Sequence, residues 1–139
     1  MRLVLDTNTA LSALLWTGTP GRLIDAAVLG RIELVSSAAL LAELQGVLSR
    51  EKFAKQLATR GLAVGDVFEG YAALVMIVTP AVISPTITSD PADDQVLAAA
   101  LAAQADMIVS GDKHLHGLGG QYQGIPIVTA AQAVERIAR

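Results

Sequence analysis

The chain opens with "MRLVLDTNTALSALL" (residues 1–15), a stretch that has the pattern of a short strand followed by a helix. The apolar run Arg2–Leu5 is short, and after Asp6-Thr7-Asn8 the apolar residues recur at helical spacing. A strand that passes directly into a helix indicates an α/β unit. The acid and the amide at the junction have two interpretations, since they could cap the helix or belong to a metal site. The opening stretch does not decide between them.

The same alternation of strand and helix patterns continues along the chain. Short apolar runs predict strands at Arg2–Leu5, Ile32–Val35, Val75–Val78, Met107–Val109 and Pro126–Val128. Helical spacing predicts helices at Leu23–Leu29, Ala38–Leu48, Val64–Leu74, Ala92–Ala103 and Ala130–Ile137, with an extra helical arm at Glu51–Thr59. A proline-rich loop is expected at 79–91. The sequence therefore predicts an α/β fold with three layers, in which helices flank a mostly parallel sheet of about five strands.

Composition narrows the class of protein. A chain of 139 residues predicts a single domain over 1–139, and 53% hydrophobic with 17% charged residues argues against disorder. No apolar run reaches the ~18 residues that a membrane span needs, and cysteine is absent, so we expect a soluble cytoplasmic protein without thiolate chemistry. The net charge of −3 does not suggest a basic nucleic-acid surface. A nucleic-acid function would need another source of positive charge, such as a divalent cation.

Acidic and polar residues follow the predicted strands. In an open parallel sheet, ligands bind beyond the carboxyl ends of the strands, so residues from separate segments could meet there. The residues at these positions are Asp6, Thr7, Asn8, Ser36, Ser37, Glu43, Asp90, Asp93, Asp94, Ser110, Gly111 and Asp112.

Several of these acids have a structural explanation. Asp6 could cap the helix that follows it. Asp90 is a favourable N-cap, because Pro91 falls at the first helical position and Asp93 lies in the first turn near the positive helix end. For Asp90 and Asp93 we favour this structural interpretation. Asp112 could cap a short helical turn, and for this residue neither interpretation is favoured.

Two acids are harder to explain as caps. Asp94 precedes Leu97 and Leu101 at helical spacing, so it leans toward the apolar side of its helix. Glu43 lies at the edge of the apolar face that includes Leu44. A carboxylate that points inward is costly unless it is paired.

An external cation is the simplest partner for these acids. No lysine or arginine lies within two residues of Asp6, Glu43 or Asp94. An all-carboxylate cluster without histidine or cysteine favours a hard metal ion, Mg²⁺ or Mn²⁺. Such an ion could also bridge an acidic protein to a polyanion.

The motifs resemble those of a known family. "LDTNTALSALL", "SSAALLAELQGVL" and "SDPADDQVLAAALAAQADMIVSGDKHL" resemble, in order, the motifs of PIN-domain nucleases, and together they cover nearly the whole chain. Within that family the resemblance is closest to the VapC-like toxin components of toxin–antitoxin pairs.

The resemblance implies a Mg²⁺- or Mn²⁺-dependent endoribonuclease that acts on an RNA substrate, leaves 5′-phosphate and 3′-hydroxyl ends, and is held inactive by an antitoxin. A homodimer is also implied, because family members are often dimers. The positions that match the family's motifs assign the catalytic and metal-binding residues to Asp6, Glu43, Asp94 and Asp112. The supporting residues are Asn8, Asp93 and Ser110.

Other functions remain open. A phosphatase of the haloacid-dehalogenase type would need a second aspartate where Asn8 stands. A housekeeping RNA-processing nuclease, or an inactive PIN fold that serves as a binding module, would carry similar motifs. His114 and His116 flank Leu115 and should point to different sides of a helix, which argues against a metal shared by both.

Overall fold

Strands and helices alternate along the chain in a computed structural model that describes residues 1–16, 18–87 and 90–138. Six strands lie in these ranges: β1 (Arg2–Leu5), β2 (Glu33–Ser36), β3 (Met76–Ile77), β4 (Met107–Val109), β5 (Gln121–Tyr122) and β6 (Ile125–Val128). Eight helices lie there too: α1 (Thr7–Leu15), α2 (Thr19–Val28), α3 (Ala38–Leu48), α4 (Glu51–Ala58), α5 (Val64–Leu74), α6 (Pro91–Ala103), α7 (Lys113–His116) and α8 (Ala130–Ile137). The predicted α/β fold is confirmed.

The strands form one sheet in the order β3-β2-β1-β4-β6-β5. All neighbours are parallel except β5 and β6, which pair antiparallel at one edge. Leu3 pairs with Leu34 of β2 and Met107 of β4, so these strands end at the same edge of the sheet. From β1 the chain adds β2 and then β3 on one side of β1. It then crosses to the other side of β1, where it adds β4. The gap between β1 and β4 is therefore the switch point at which α/β sheets bind ligands.

Side-chain alternation along the central strands creates two cores. Leu3 and Leu5 of β1 pack in a cluster with residues of α1, α2, α3, α4, α5 and α8. Val4 points to the opposite face and packs with residues of α6 and α7. This period of two is expected for a strand covered on both faces. The sheet is thus the middle of three layers, as predicted.

The differences from the predicted elements are small and have local causes. The sheet has six described strands instead of about five, because the two-residue β5 is too short to show a period. Helix α2 begins at Thr19, four residues before the predicted start, because Pro20 favours the first helical turn. In the predicted loop, 79–87 and Asp90 form no helix or strand, and Thr88 and Ser89 lie outside the described residues.

Helix α6 brings acidic residues close to the carboxyl edge of the sheet. Asp90 caps this helix by accepting from the Ala92 N–H at 3.1 Å, and Pro91 occupies its first position, as predicted. Ala99 and Ala100 are fully buried, and their small side chains allow the helix to lie close to the strands. Among the described residues, no helix is long and apolar enough to cross a membrane.

Candidate metal centre

A small acidic cleft lies at the carboxyl edge of the sheet. The described residues that line it are Asp6, Thr7, Asn8, Glu43, Asp90, Ala92, Asp93, Val96 and Asp112. Its volume of about 40 Å³ exceeds the ~10–15 Å³ that one water needs, and it is far below that of a drug-sized pocket. No lysine or arginine is among these residues. The cleft is the size of a site for an ion with some of its waters.

Asp6 caps a helix and also lines the cleft. One carboxylate oxygen, Oδ1, accepts from the Thr9 N–H at 2.8 Å and caps α1. The other, Oδ2, accepts a short hydrogen bond from the Ser110 hydroxyl. The residue is buried and lines the cleft, and the cap fixes the direction of its carboxylate. Capping and lining the cleft are therefore compatible at this position.

Ser110 links the ends of β1 and β4. Its hydroxyl donates to Asp6 and accepts from the Asp112 N–H at 2.9 Å. Its carbonyl lies 2.6 Å from Nε2 of His116. Asp112 in turn caps α7 by accepting from the His114 N–H at 2.6 Å. Fully buried Ser110 thus holds two acidic segments of the cleft in fixed relation.

Asp93 is the acid in the least favourable environment. It is 7% exposed, and its Oδ2 is buried without a hydrogen-bond partner among the described residues. Burial, followed by the charges of Asp112, Asp90 and Asp6 in that order, raises the pKa of this carboxyl to about 6, whereas His114 opposes the shift. A buried carboxylate without a partner is rare, because it loses hydration without compensation. A bound cation would supply the missing partner.

Two neighbouring acids, Asp93 and Asp94, lie in positions that differ from the expected ones. The sequence prediction makes Asp94 a core ligand and Asp93 a supporting residue. In the structure, the Asp94 carboxylate accepts from the Thr86 N–H at 3.1 Å and from the Ile87 N–H at 2.9 Å. Asp94 is absent from the described residues that line the cleft, whereas Asp93 lines it. Two backbone amides, rather than a cation, are the partners of the Asp94 carboxylate.

The remaining predicted residues reach the cleft from its rim. Glu43 lies on α3 and lines the cleft, but its side chain is exposed, which corrects the expectation that it points inward. Asn8 is exposed in the first turn of α1 and also lines the cleft. Of the four predicted core acids, the structure brings together Asp6, Glu43 and Asp112.

Two residues near the acids, His114 and Tyr71, are not among the predicted site residues. His114 offers a ring nitrogen that, with carboxylate oxygens of Asp93 and Asp112, forms a group of possible ligand atoms all within 4.8 Å of one another. Its position two residues after Asp112 was the available signal. Tyr71 on α5 is buried, and burial together with the Asp6 charge raises the pKa of its phenol, which keeps it neutral. No sequence pattern links Tyr71 to Asp6.

The residues of the cleft fit a divalent cation. Asp93, whose Oδ2 has no hydrogen-bond partner among the described residues, lines the cleft together with four further acids. Carboxylates are the donors that Mg²⁺ and Mn²⁺ favour.

Comparison with known proteins identifies the family of this chain. The sequence model of the PIN domain family matches residues 2–114, a segment that contains every acid of the cleft. The chain therefore belongs to the PIN domain family, a family of nucleases. No match was found among the curated proteins.

A solved structure shares the fold. It is a chain from the crystal structure of VapBC2 from Rickettsia felis bound to a DNA fragment from their promoter. The two chains align with a TM-score of 0.58 and 15% identity, over 91% of this chain and 97% of the other. At this identity the likeness shows a common fold.

Proposed function

We propose that this protein is a metal-dependent endoribonuclease and acts as the toxin of a toxin–antitoxin pair. Asp6, Asp93 and Asp112 hold one or two Mg²⁺ or Mn²⁺ ions, with Glu43 contributing from the rim. The observation that carries this proposal is the buried, unpartnered Oδ2 of Asp93 in a cleft without lysine or arginine. Such a cleft repels a phosphodiester unless cations neutralise it.

The chain's own residues would position the reaction. When bound, the ion supplies positive charge that stabilises the scissile phosphate and eases the loss of a proton from the attacking water. Ser110 orients the Asp6 carboxylate and holds the Asp112 segment beside it. Asn8, exposed at the rim, is placed to donate from its amide to a phosphate oxygen. Products with 5′-phosphate and 3′-hydroxyl ends are expected.

Cleavage assays with matched variants test the proposal. Wild type, Asp6→Asn, Asp93→Asn and Asp94→Asn are incubated with structured RNAs and with single-stranded DNA, in Mn²⁺ or in EDTA. We expect Mn²⁺-dependent RNA cleavage that Asp6→Asn and Asp93→Asn abolish. Asp94→Asn is the control, because it changes the adjacent acid outside the cleft and should retain cleavage.

The outcomes separate the alternatives. Cleavage that survives EDTA and both cleft substitutions contradicts a metal-dependent site. RNA binding without cleavage in Mn²⁺ favours the inactive binding module, and cleavage of DNA alone contradicts the RNA substrate.

An apolar groove beside α1 supports the proposal of an antitoxin partner. It lies between α1, α2 and α5, has a volume of about 430 Å³, and is lined mainly by aliphatic side chains including Leu14, Ile24 and Val67. Val28 and Leu62 at this groove are 69% and 42% exposed. Apolar grooves of this kind accept the apolar face of a partner helix. The solved structure that shares the fold is that of VapBC2 bound to a DNA fragment from its promoter.

Co-expression with the neighbouring reading frame tests the pairing. If that frame encodes a small DNA-binding protein, we expect it to co-purify with this chain and to suppress RNA cleavage. Val28→Glu should weaken the complex without unfolding the chain, since Val28 is exposed. A missing partner gene favours the housekeeping nuclease instead. The homodimer stays a prediction, which light scattering can check.

A further inference from the structure

His114 stands where a nitrogen ligand could join the acids of the cleft. It lies in α7, directly after the capping residue Asp112 and Lys113. Its Nδ1 is 3.4 Å from Oδ1 of Asp112. Asp93 completes a group in which the candidate ligand atoms all lie within 4.8 Å of one another.

These separations are close to what one ion requires. Nitrogen and oxygen ligands lie about 2.0–2.2 Å from such ions, so opposite ligands are about 4.2 Å apart. The three side chains would need to close by roughly half an ångström around an ion of this kind. His114 has the freedom to do so, because 43% of its side-chain surface is exposed.

The carboxylate of Asp93 is an independent indication that a cation belongs here. It is buried, its Oδ2 has no partner in the described part of the chain, and it belongs to the same group as His114. The second histidine of α7 is engaged elsewhere, since His116 contacts the Ser110 carbonyl. Of the two histidines of α7, His114 is the one whose ring nitrogen lies in a group with Asp93 and Asp112.

An imidazole ligand changes which ion a site prefers. Mg²⁺ favours an all-oxygen shell, whereas divalent transition metals accept imidazole readily. A site made of carboxylates alone accepts Mg²⁺ readily. Adding a nitrogen donor shifts the preference of the site toward transition metals.

We infer that His114 is a nitrogen ligand of the metal site, shared with Asp93 and Asp112, and that it makes the site favour a divalent transition metal over Mg²⁺. This inference rests on the proposed function, because it concerns the ion of that same cleft. The competing interpretation is an ion pair of protonated His114 with Asp112 that makes no contact with metal.

Pulsed electron paramagnetic resonance of the Mn²⁺-loaded protein distinguishes the two interpretations. Wild type should show ¹⁴N modulation from a coordinated imidazole, and His114→Gln should lose it. His116→Gln is the matched control, because it removes the other imidazole of the same helix and should retain the modulation. Calorimetry should show that His114→Gln lowers Mn²⁺ affinity at least about tenfold, since loss of even a more distant group typically lowers affinity 10–100-fold. Mg²⁺ affinity should change much less.

The outcomes also separate this inference from the proposed function. Mn²⁺ binding that depends on Asp93 but shows no ¹⁴N modulation overturns the role of His114 and leaves the metal site intact. An equal loss of Mn²⁺ and Mg²⁺ affinity in His114→Gln likewise contradicts a role in selecting the ion. Absence of Mn²⁺ binding in wild type overturns both the inference and the proposed function. Circular dichroism of each variant verifies that it is folded.

Discussion

Replacing Asp93 by asparagine should stabilise the metal-free protein and remove its response to metal. The change keeps the shape of the side chain and deletes one charge among Asp6, Asp90 and Asp112. In wild type, burial and these neighbouring charges raise the pKa of Asp93 from its usual 3.8 to about 6. The folded chain therefore holds a proton on this carboxyl to higher pH than the unfolded chain does.

The sign of the effect follows from proton binding. Between about pH 4 and 6 the folded state binds more protons than the unfolded state, so the free energy of unfolding falls as pH rises. Above about pH 6 both states have lost this proton, so the free energy of unfolding no longer changes with pH on account of Asp93. Each pKa unit corresponds to 1.36 kcal/mol, which sets an upper limit of about 3 kcal/mol for this shift. Because solvent reaches the open side of the cleft and screens the charges, we expect about 1–2 kcal/mol.

Urea unfolding in EDTA measures this difference. At pH 7.5 Asp93→Asn should be more stable than wild type by about 1–2 kcal/mol, and the gap should shrink as the pH falls toward 4. Mn²⁺ should reverse the order, since a ligand at 100 times its Kd stabilises wild type by about 2.7 kcal/mol and the variant should gain little. A variant that is less stable than wild type at pH 7.5, or that gains equally from Mn²⁺, would refute this explanation of Asp93.

Three further changes test the surroundings of the cleft. Asp94→Ala should lower the free energy of unfolding by about 1–3 kcal/mol with or without Mn²⁺, because two loop N–H groups lose their acceptor; urea unfolding in both conditions checks this. Ser110→Ala should weaken Mn²⁺ binding about 10–100-fold in calorimetry, because Asp6 loses its donor and the Asp112 segment its acceptor. Ala99→Leu should destabilise by about 1–3 kcal/mol in urea, because this fully buried position has no room for a larger side chain.

The architecture was predictable because its signals are local. Helices α3, α5 and α8 occur at the predicted bounds, and so do β1 and β4. Each of these segments has a clear period of apolar residues. The antiparallel β5 was missed, because two residues carry no period and its pairing with β6 depends on a turn.

The site residues were predictable only where the backbone topology alone brings them to the cleft. Asp6 and Asp112 follow parallel neighbouring strands, so the topology brings them together whatever their side chains do. Glu43 reaches the same cleft from a helix, yet its exposure was not evident from the helical face. The position of Asp94 outside the cleft was not predictable, because its partners, the amides of Thr86 and Ile87, come from an irregular loop.

Asp93 and Asp94 show why a buried acid indicates function only after its hydrogen bonds are counted. Both are acids in the first turn of α6, and each is near buried apolar side chains. The charge of Asp94 is compensated inside the protein by backbone amides, so this residue anchors the loop before α6. The charge of Asp93 is opposed by other acids, and its Oδ2 has no partner among the described residues. A cation that relieves this repulsion would stabilise the fold and prepare the cleft for a phosphate, so metal binding should couple stability to catalysis through Asp93.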